Sequence, residues 1–193
     1  MIIGLTGPTG AGKSMASSVA VELGFKVIDC DKLARVAVEK ETEGLKSLVA
    51  VFGEEILNID GTLNRKVLAQ KAFASSDKTE LLNKTIFPHI VKLVEKEAVG
   101  DKILLDAPTL FESGIDSMCD KTIAVLCDVD TRLARIMERD GIDKDNALLR
   151  IGAGKTDEFY NKNADYIIYN NGDSRFFCED FKKIICEISG KTN

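Results

Sequence analysis

The stretch that decides the fold is residues 7–14, which read Gly7-Pro8-Thr9-Gly10-Ala11-Gly12-Lys13-Ser14. It matches the phosphate-loop pattern GxxxxGK[ST], and it lies between an apolar segment at residues 2–5 and an amphipathic stretch at residues 14–23. A strand, a glycine-rich turn and a helix in this order direct backbone N–H groups and the positive end of a helix dipole at phosphate. The stretch therefore predicts a nucleotide-binding α/β domain.

Each residue type in this loop has a chemical task. The glycines allow the backbone to approach phosphate closely, Lys13 carries positive charge to the β- and γ-phosphates, and the Ser14 hydroxyl is a ligand for Mg²⁺. The alternative is a glycine-rich turn that carries a lysine by accident. Nucleotide contacts are assigned to Gly7, Gly10, Ala11, Gly12, Lys13, Ser14 and Met15.

Strand and helix patterns alternate along the rest of the chain. Short apolar segments, typical of strands buried on both faces, recur at residues 26–28, 103–105, 122–127 and 166–169. Amphipathic stretches predict helices at residues 32–40, 45–52, 64–73, 80–99 (interrupted at Pro88), 131–139 and 175–188. This alternation predicts an α/β P-loop kinase fold, with a five-stranded parallel sheet and helices on both faces.

Two intervals break the alternation. Residues 32–100 are almost wholly helical and too long for one crossover, so we expect a helical insertion that binds the acceptor. Residues 132–163 are charged and contain a short glycine-rich patch, which predicts a mobile lid. The expected core comprises residues 1–31, 101–131 and 164–193 of one kinase domain.

Composition limits the partners. The 193 residues include 26 Lys and Arg against 31 Asp and Glu, and the net charge of −5 disfavours nucleic acid. The five cysteines form no CxxC pair, and no apolar run approaches the roughly 20 residues that span a bilayer. We therefore expect a cytoplasmic protein without a membrane partner, and no obligate protein partner is evident.

Carboxylates follow two of the predicted strands. Asp29 and Asp31 end the second and lie two residues apart, so in an extended chain both carboxylates point to the same face. An aspartate there can accept the proton of an attacking hydroxyl. The alternative is that Asp31 caps the next helix. Asp106 follows the third strand, where it could hold Mg²⁺ through water, or cap a helix that begins near Pro108.

Further motifs carry a family resemblance. They are Val27-Ile28-Asp29-Cys30-Asp31-Lys32-Leu33-Ala34-Arg35, Asp60-Gly61-Thr62-Leu63-Asn64-Arg65, Asp106-Ala107-Pro108-Thr109-Leu110-Phe111-Glu112 and Asn170-Asn171-Gly172. In order and spacing, the chain resembles the dephospho-CoA kinases over nearly its whole length. The resemblance implies transfer of the ATP γ-phosphate to the ribose 3′-hydroxyl of dephospho-coenzyme A, the last step of coenzyme A synthesis.

The resemblance also implies roles for single residues. Asp31 matches the family's base, Lys13 its phosphate lysine, and Arg135 and Arg139 its lid arginines, which lie four apart on one helix face. A solvated basic face is the alternative for these two arginines. Nucleotide binding extends to Asn171, and acceptor binding is expected at Asp29, Arg35, Arg65, Pro108, Phe111 and Glu112.

The lid departs from the family pattern. Gly154 stands where the family usually has Gln, and Tyr160 where it usually has a basic residue. Two alternatives therefore remain: another small-molecule P-loop kinase, such as a nucleoside monophosphate kinase, or a weakly active homologue that binds nucleotide or coenzyme A.

Overall fold

The computed structural model describes residues 1–190, and its centre is a five-stranded sheet. The strands are Ile2–Thr6 (β1), Lys26–Asp29 (β2), Ile103–Asp106 (β3), Lys121–Leu126 (β4) and Tyr166–Tyr169 (β5). Their order across the sheet is β2-β3-β1-β4-β5, and β1 pairs in parallel with both β3 and β4. The predicted five-stranded parallel sheet is confirmed.

Within residues 1–190, nine α-helices and two short 3₁₀ segments lie between the strands and after the last one. The α-helices are Lys13–Glu22 (α1), Cys30–Val36 (α2), Glu43–Phe52 (α3), Arg65–Ala72 (α4), Ser76–Glu97 (α5), Val129–Asp140 (α6), Lys144–Gly152 (α7), Asp157–Asn163 (α8) and Ser174–Ile188 (α9). The 3₁₀ segments are Glu54–Ile56 and Ile115–Met118. In the described part of the chain, no helix is both long and apolar enough to cross a membrane.

The chain divides into two compact units, and the first holds the sheet. It comprises Met1–Ile28 together with the chain from Gly100 onward. Successive residues of a strand point to opposite faces, and β4 shows this: Ile123 and Val125 pack in a cluster with α1 and α9, whereas Ala124 and Leu126 pack against Tyr160 of α8. Helices therefore cover both faces of the sheet, as predicted.

The second unit, Asp29–Val99, is built from α2 to α5. Each helix starts at a residue whose side chain accepts a hydrogen bond from a backbone N–H of the first turn: Asp29, Thr42, Asn64 and Ser75. Such caps satisfy N–H groups that have no partner within the helix. The motif at residues 60–65 is part of this framework, because Asp60 accepts hydrogen bonds from the backbone and hydroxyl of Thr62 in a turn before α4.

Two sequence-based expectations differ from the structure. Helix α5 continues through Pro88, although proline removes one backbone hydrogen bond, because Ile86, Ile90 and Val94 are buried along one face on both sides of it. The interval 132–163 contains the helices α7 and α8, which our helix prediction missed, and these start at the side-chain caps Asp143 and Thr156. Whether this interval moves as a lid stays a prediction.

Candidate active site

The phosphate loop connects β1, which ends at Thr6, to α1, which begins at Lys13. The loop packs so tightly against β4 that a Cβ at Gly7 would lie 2.2 Å from the Val125 carbonyl oxygen. Gly7 also has a φ of 141°, which other residues rarely adopt. A side chain at position 7 would therefore push the loop off the sheet.

The N-terminus of α1 is arranged to receive an anion. Gly12 precedes the helix in a left-handed conformation, no side chain caps the first turn, and no acidic residue lies in it. The N–H groups and the positive end of the helix dipole are thus available to phosphate. Lys13 lies over the loop, with its Nζ donating to the Gly7 carbonyl at 2.8 Å, and Ser14 is exposed beside it.

Two arginines of α6 hold the loop from outside through its backbone carbonyls. Arg132 Nε donates to the Thr9 carbonyl at 2.9 Å, and Arg135 Nη1 lies 3.4 Å from the Gly10 carbonyl and 3.3 Å from that of Ala11. No peptide bond among residues 1–190 is cis, and the C=O and N–H of a trans peptide point in opposite directions. Holding the carbonyls on the outside therefore turns the following N–H groups away from α6.

Asn170, directly after β5, completes this set of outer donors, which we define as Arg132, Arg135 and Asn170. Its Nδ2 donates to the Ala11 carbonyl at 2.8 Å, and its side chain is buried, with 1% exposure. Its own carbonyl accepts a hydrogen bond from Arg135 Nη2 at 3.2 Å and one from the Cys127 thiol at 3.1 Å. Because the polar groups of this buried amide have hydrogen-bond partners, the side chain is held firmly in place.

Sequence reasoning missed two of the outer donors as site residues, Arg132 and Asn170. Asn170 had a signal, because it belongs to the Asn170-Asn171-Gly172 motif of the family resemblance. Arg132 had only its spacing of three from Arg135, which places both on one helix face. Asn171, to which nucleotide binding was assigned, accepts a hydrogen bond from the backbone N–H of Asp128, the capping residue of α6, at 2.8 Å.

The two arginines predicted to act together have different partners. Arg135 reaches the loop carbonyls, which excludes a solvated face for it. Arg139 is exposed and pairs with its neighbour Asp140, at 2.8 Å from Nε and 2.9 Å from Nη2, and Asp140 also contacts Arg150. The hydrogen bond from Arg139 lowers the pKa of the Asp140 carboxyl. The joint action of Arg135 and Arg139 on phosphate stays a prediction.

Asp106 ends β3 and accepts a hydrogen bond from the Ser17 hydroxyl of α1 at 2.9 Å. No helix starts in the eight residues after it, since the next segment is the 3₁₀ turn Ile115–Met118. The alternative of Asp106 as a helix cap is therefore wrong. The Asp106 carboxylate and the Ser14 hydroxyl, which were assigned to Mg²⁺ from the sequence, are oxygen donors of the kind that this ion accepts, and the assignment stays a prediction.

The predicted carboxylate pair at the end of β2 is arranged differently from expectation. The strand ends at Asp29, whose carboxylate accepts from the Lys32 N–H at 3.0 Å and so caps α2, while Asp31 lies in the first turn of that helix and is exposed. The two carboxylates do not share a strand face, and the cap is Asp29 rather than Asp31. Both these expectations are wrong because α2 is capped by Asp29, two residues before the cap that was expected at Asp31.

The residues expected to bind the acceptor lie in both units. Arg35 and Arg65 are exposed at the end of α2 and the start of α4. In the first unit, the Pro108 carbonyl accepts a hydrogen bond from the Thr6 hydroxyl at 3.3 Å, which ties this segment to the end of β1. No observation tests their contact with a ligand, so these assignments stay predictions.

Phe111 belongs to an aromatic cluster with Phe159 and Tyr160, and the charge of Glu112 acts on Tyr160 of that cluster. The Phe111 ring packs edge-on against Phe159 of α8, with centroids 5.9 Å apart, and Phe159 packs against Tyr160. Burial, with a contribution from the charge of Glu112, raises the pKa of Tyr160 to about 12. Tyr160 is therefore neutral at physiological pH and packs as a core residue at a position where the family usually has a basic residue.

The part of the chain that matches known proteins includes every residue of the site described above. Residues 1–175 match the family model for dephospho-CoA kinase. The dephospho-CoA kinase of Corynebacterium efficiens is 40% identical over 192 residues, which cover 96% of each chain. Among solved structures, TT1252 from Thermus thermophilus has a TM-score of 0.79 at 28% identity and covers 97% of each chain. The dephospho-CoA kinase from Campylobacter jejuni has a TM-score of 0.67 at 27% identity, covering 98% of this chain and 97% of that one.

Proposed function

Since the chain belongs to the dephospho-CoA kinase family, we propose that it transfers the γ-phosphate of ATP to the ribose 3′-hydroxyl of dephospho-coenzyme A. The observation that carries this proposal is the family match over residues 1–175, which contain the complete phosphate loop and its outer donors Arg132, Arg135 and Asn170. The product is coenzyme A. We assign the reaction to the cytoplasm, as expected from the cysteine content.

The donor side of the reaction uses the loop and α1. The N–H groups that face away from the outer donors bind the β- and γ-phosphates, and Lys13 adds charge to the group in transfer. Because these donors are held before the reaction, they stabilise developing charge without reorganising. The loop and the start of α1 are therefore assigned to the phosphates of ATP.

The oxygen donors Ser14 and Asp106 fit Mg²⁺, which is commonly held by one or two protein ligands and by substrate phosphates. Residues 1–190 contain no group of three or more His, Cys, Asp or Glu that could hold a metal without such help. When bound, the ion supplies neutralisation of phosphate charge. Ser17 orients Asp106 for this task through their hydrogen bond of 2.9 Å.

On the acceptor side, the proton acceptor and the phosphate contacts are assigned to residues of the second unit. Asp31 accepts the proton of the ribose hydroxyl, and Asp29 holds the start of α2, which carries Asp31. The guanidinium groups of Arg35 and Arg65 bind phosphate groups of the acceptor, for which Arg is well suited. Acceptor binding is also assigned to Pro108, Phe111 and Glu112, as the family resemblance implies.

The experiment is an acceptor panel with the purified full chain, MgATP and, in turn, dephospho-coenzyme A, adenosine, AMP, CMP and shikimate. We expect only dephospho-coenzyme A to stimulate ATP consumption, with coenzyme A formed in equal amount. Lys13→Ala serves as the control for contaminating kinases. Faster phosphorylation of AMP or CMP would favour a nucleoside monophosphate kinase, and nucleotide binding without turnover would favour the weakly active homologue.

A further inference from the structure

Arg132 is a charged side chain that the fold buries almost completely, at 4% exposure. Its Nε bonds the Thr9 carbonyl, but its Nη2 atom is buried without a hydrogen-bond partner in the part of the chain that the structure describes. Burying a cation with an unpaired N–H costs free energy. A residue whose buried polar group lacks a hydrogen-bond partner is a candidate for a functional role.

The backbone of Arg132 also contacts the loop. A Cβ at Gly10 would lie 3.0 Å from the Arg132 carbonyl oxygen and 3.2 Å from its Cα. The first turns of α6 therefore lie directly against the tip of the loop, and the Arg132 side chain returns to the preceding peptide. Main chain and side chain together fix the peptide between Thr9 and Gly10.

We propose that Arg132 is a positioning residue for phosphoryl transfer, which acts through its Nε hydrogen bond to the Thr9 carbonyl. Holding this carbonyl against α6 turns the Gly10 N–H to the opposite side, toward the phosphates of the bound nucleotide. The inference rests on the proposed function and assigns to Arg132 the orientation of one N–H group of the loop. The hydrogen bond, rather than the positive charge, carries the effect.

Because Nε makes the bond, side-chain topology provides a matched set of variants. The Nε2 of glutamine and the Cε of methionine are each as many bonds from Cα as the arginine Nε. Arg132→Gln therefore keeps a donor at this position and removes the charge, whereas Arg132→Met keeps the length and removes both. Arg132→Lys keeps the charge but moves the donor one bond further out.

The measurement is titration of each variant with ADP and with AMP, which lacks the β-phosphate that the loop binds. For Arg132→Met we expect the Kd of ADP to rise roughly 10- to 100-fold, the range for one hydrogen bond to a charged group, with the Kd of AMP nearly unchanged. Arg132→Gln should bind ADP within about threefold of the wild type. It should also unfold at no lower temperature, because the unpaired buried charge is gone.

Two controls separate positioning from stability. Phe181→Leu alters the core between α1 and α9, where Phe181 has 0% exposure, and should lower Tm without changing the ratio of the ADP and AMP Kd values. If Arg132→Met does not fold, the order of the other two variants decides, since the neutral Gln variant should bind ADP more tightly than the charged Lys variant.

The proposal is overturned if Arg132→Gln loses as much ADP affinity as Arg132→Met, because the charge would then matter. It is also overturned if Arg132→Met lowers Tm but keeps the ratio of Kd values, since the role would then be structural only. Neither titration needs an acceptor. If the wild type forms no coenzyme A, the proposed function fails while the binding ratio can still be read.

Discussion

Two glycines at the ends of α1 offer a matched test of how Asn170 holds the loop. Gly12 precedes the helix with a φ of 101°, and Gly24 follows it with a φ of 81°. An added Cβ would lie 2.1 Å from the Asn170 Nδ2 at position 12, and would meet nothing within 4 Å at position 24. Alanine at either site suffers similar backbone strain, so the difference reports the displacement of Asn170.

The expected loss of unfolding free energy in Gly12→Ala has two contributions, the backbone strain and the displacement of Asn170. A left-handed conformation costs alanine about 1–2 kcal/mol, which is the whole expected loss for Gly24→Ala. Gly12→Ala must also break the hydrogen bond of 2.8 Å between Asn170 and the Ala11 carbonyl, and leaving such buried groups unpaired costs about 1–3 kcal/mol more. We therefore expect Gly12→Ala to lose about 2–5 kcal/mol of unfolding free energy.

The assay is urea unfolding of both variants, each also combined with Asn170→Ala, together with ADP titration. In the Asn170→Ala background, the cost of Gly12→Ala should fall to that of Gly24→Ala, and only Gly12→Ala should weaken ADP binding when Asn170 is intact. Equal losses for the two alanines, or a Gly12→Ala cost that does not depend on Asn170, would refute the reasoning.

Three further predictions concern other parts of the molecule. Asp31→Asn should lower kcat roughly 10²- to 10⁴-fold, as expected for loss of a general base, and should leave ADP affinity unchanged. Lys13→Ala should lower both kcat and ADP affinity, and kinetics together with nucleotide titration check both variants. A larger loss in kcat for Asp29→Asn than for Asp31→Asn would show that Asp29 is the base. Arg139→Ala should lower kcat more than it raises KM for ATP, and unchanged kinetics would assign Arg139 to a solvated face. Burial raises the pKa of Asp165, but hydrogen bonds from Thr122 and Lys121 outweigh it, so the net pKa lies below the ordinary value. The stability that Asp165 contributes is therefore present above the ordinary carboxyl pKa and lost as pH falls through the lower folded one. The Tm difference between wild type and Asp165→Asn should accordingly shrink on acidification, and a constant difference would contradict the shift.

The fold was predictable because its signals are local. The strand at Ile2–Thr6, the loop and the helix at Lys13–Glu22 are adjacent in sequence, and buried strands show as short apolar runs. The expected interruption of the helix at Pro88 was wrong because the signals that predict a helix are local. Local rules penalise proline inside a helix, but they do not see the apolar face of α5 that packs within its unit.

The structure of the phosphate loop was predictable because a single segment builds it. Residues of the loop were assigned from their motif, whereas Arg132 and Asn170 hold the loop from positions 123 and 159 residues away. No periodicity or spacing reports a contact at that separation. The position of Asp31 was misjudged for a local reason, because Asp29 is both the last strand residue and the helix cap.

The arginines of α6 also limit what a lid can do. Arg132 and Arg135 bond the loop backbone, and Ile136, one turn beyond Arg132, is fully buried. The predicted lid at residues 132–163 cannot move as one body without breaking these contacts. Arg139, by contrast, bonds only Asp140 among the partners described above, and the helix ends just beyond it at Gly141, whose φ is 63°. If Arg139 acts on the phosphates as predicted, we therefore expect the first turns of α6 to stay on the loop while only the end of the helix and the residues after it move.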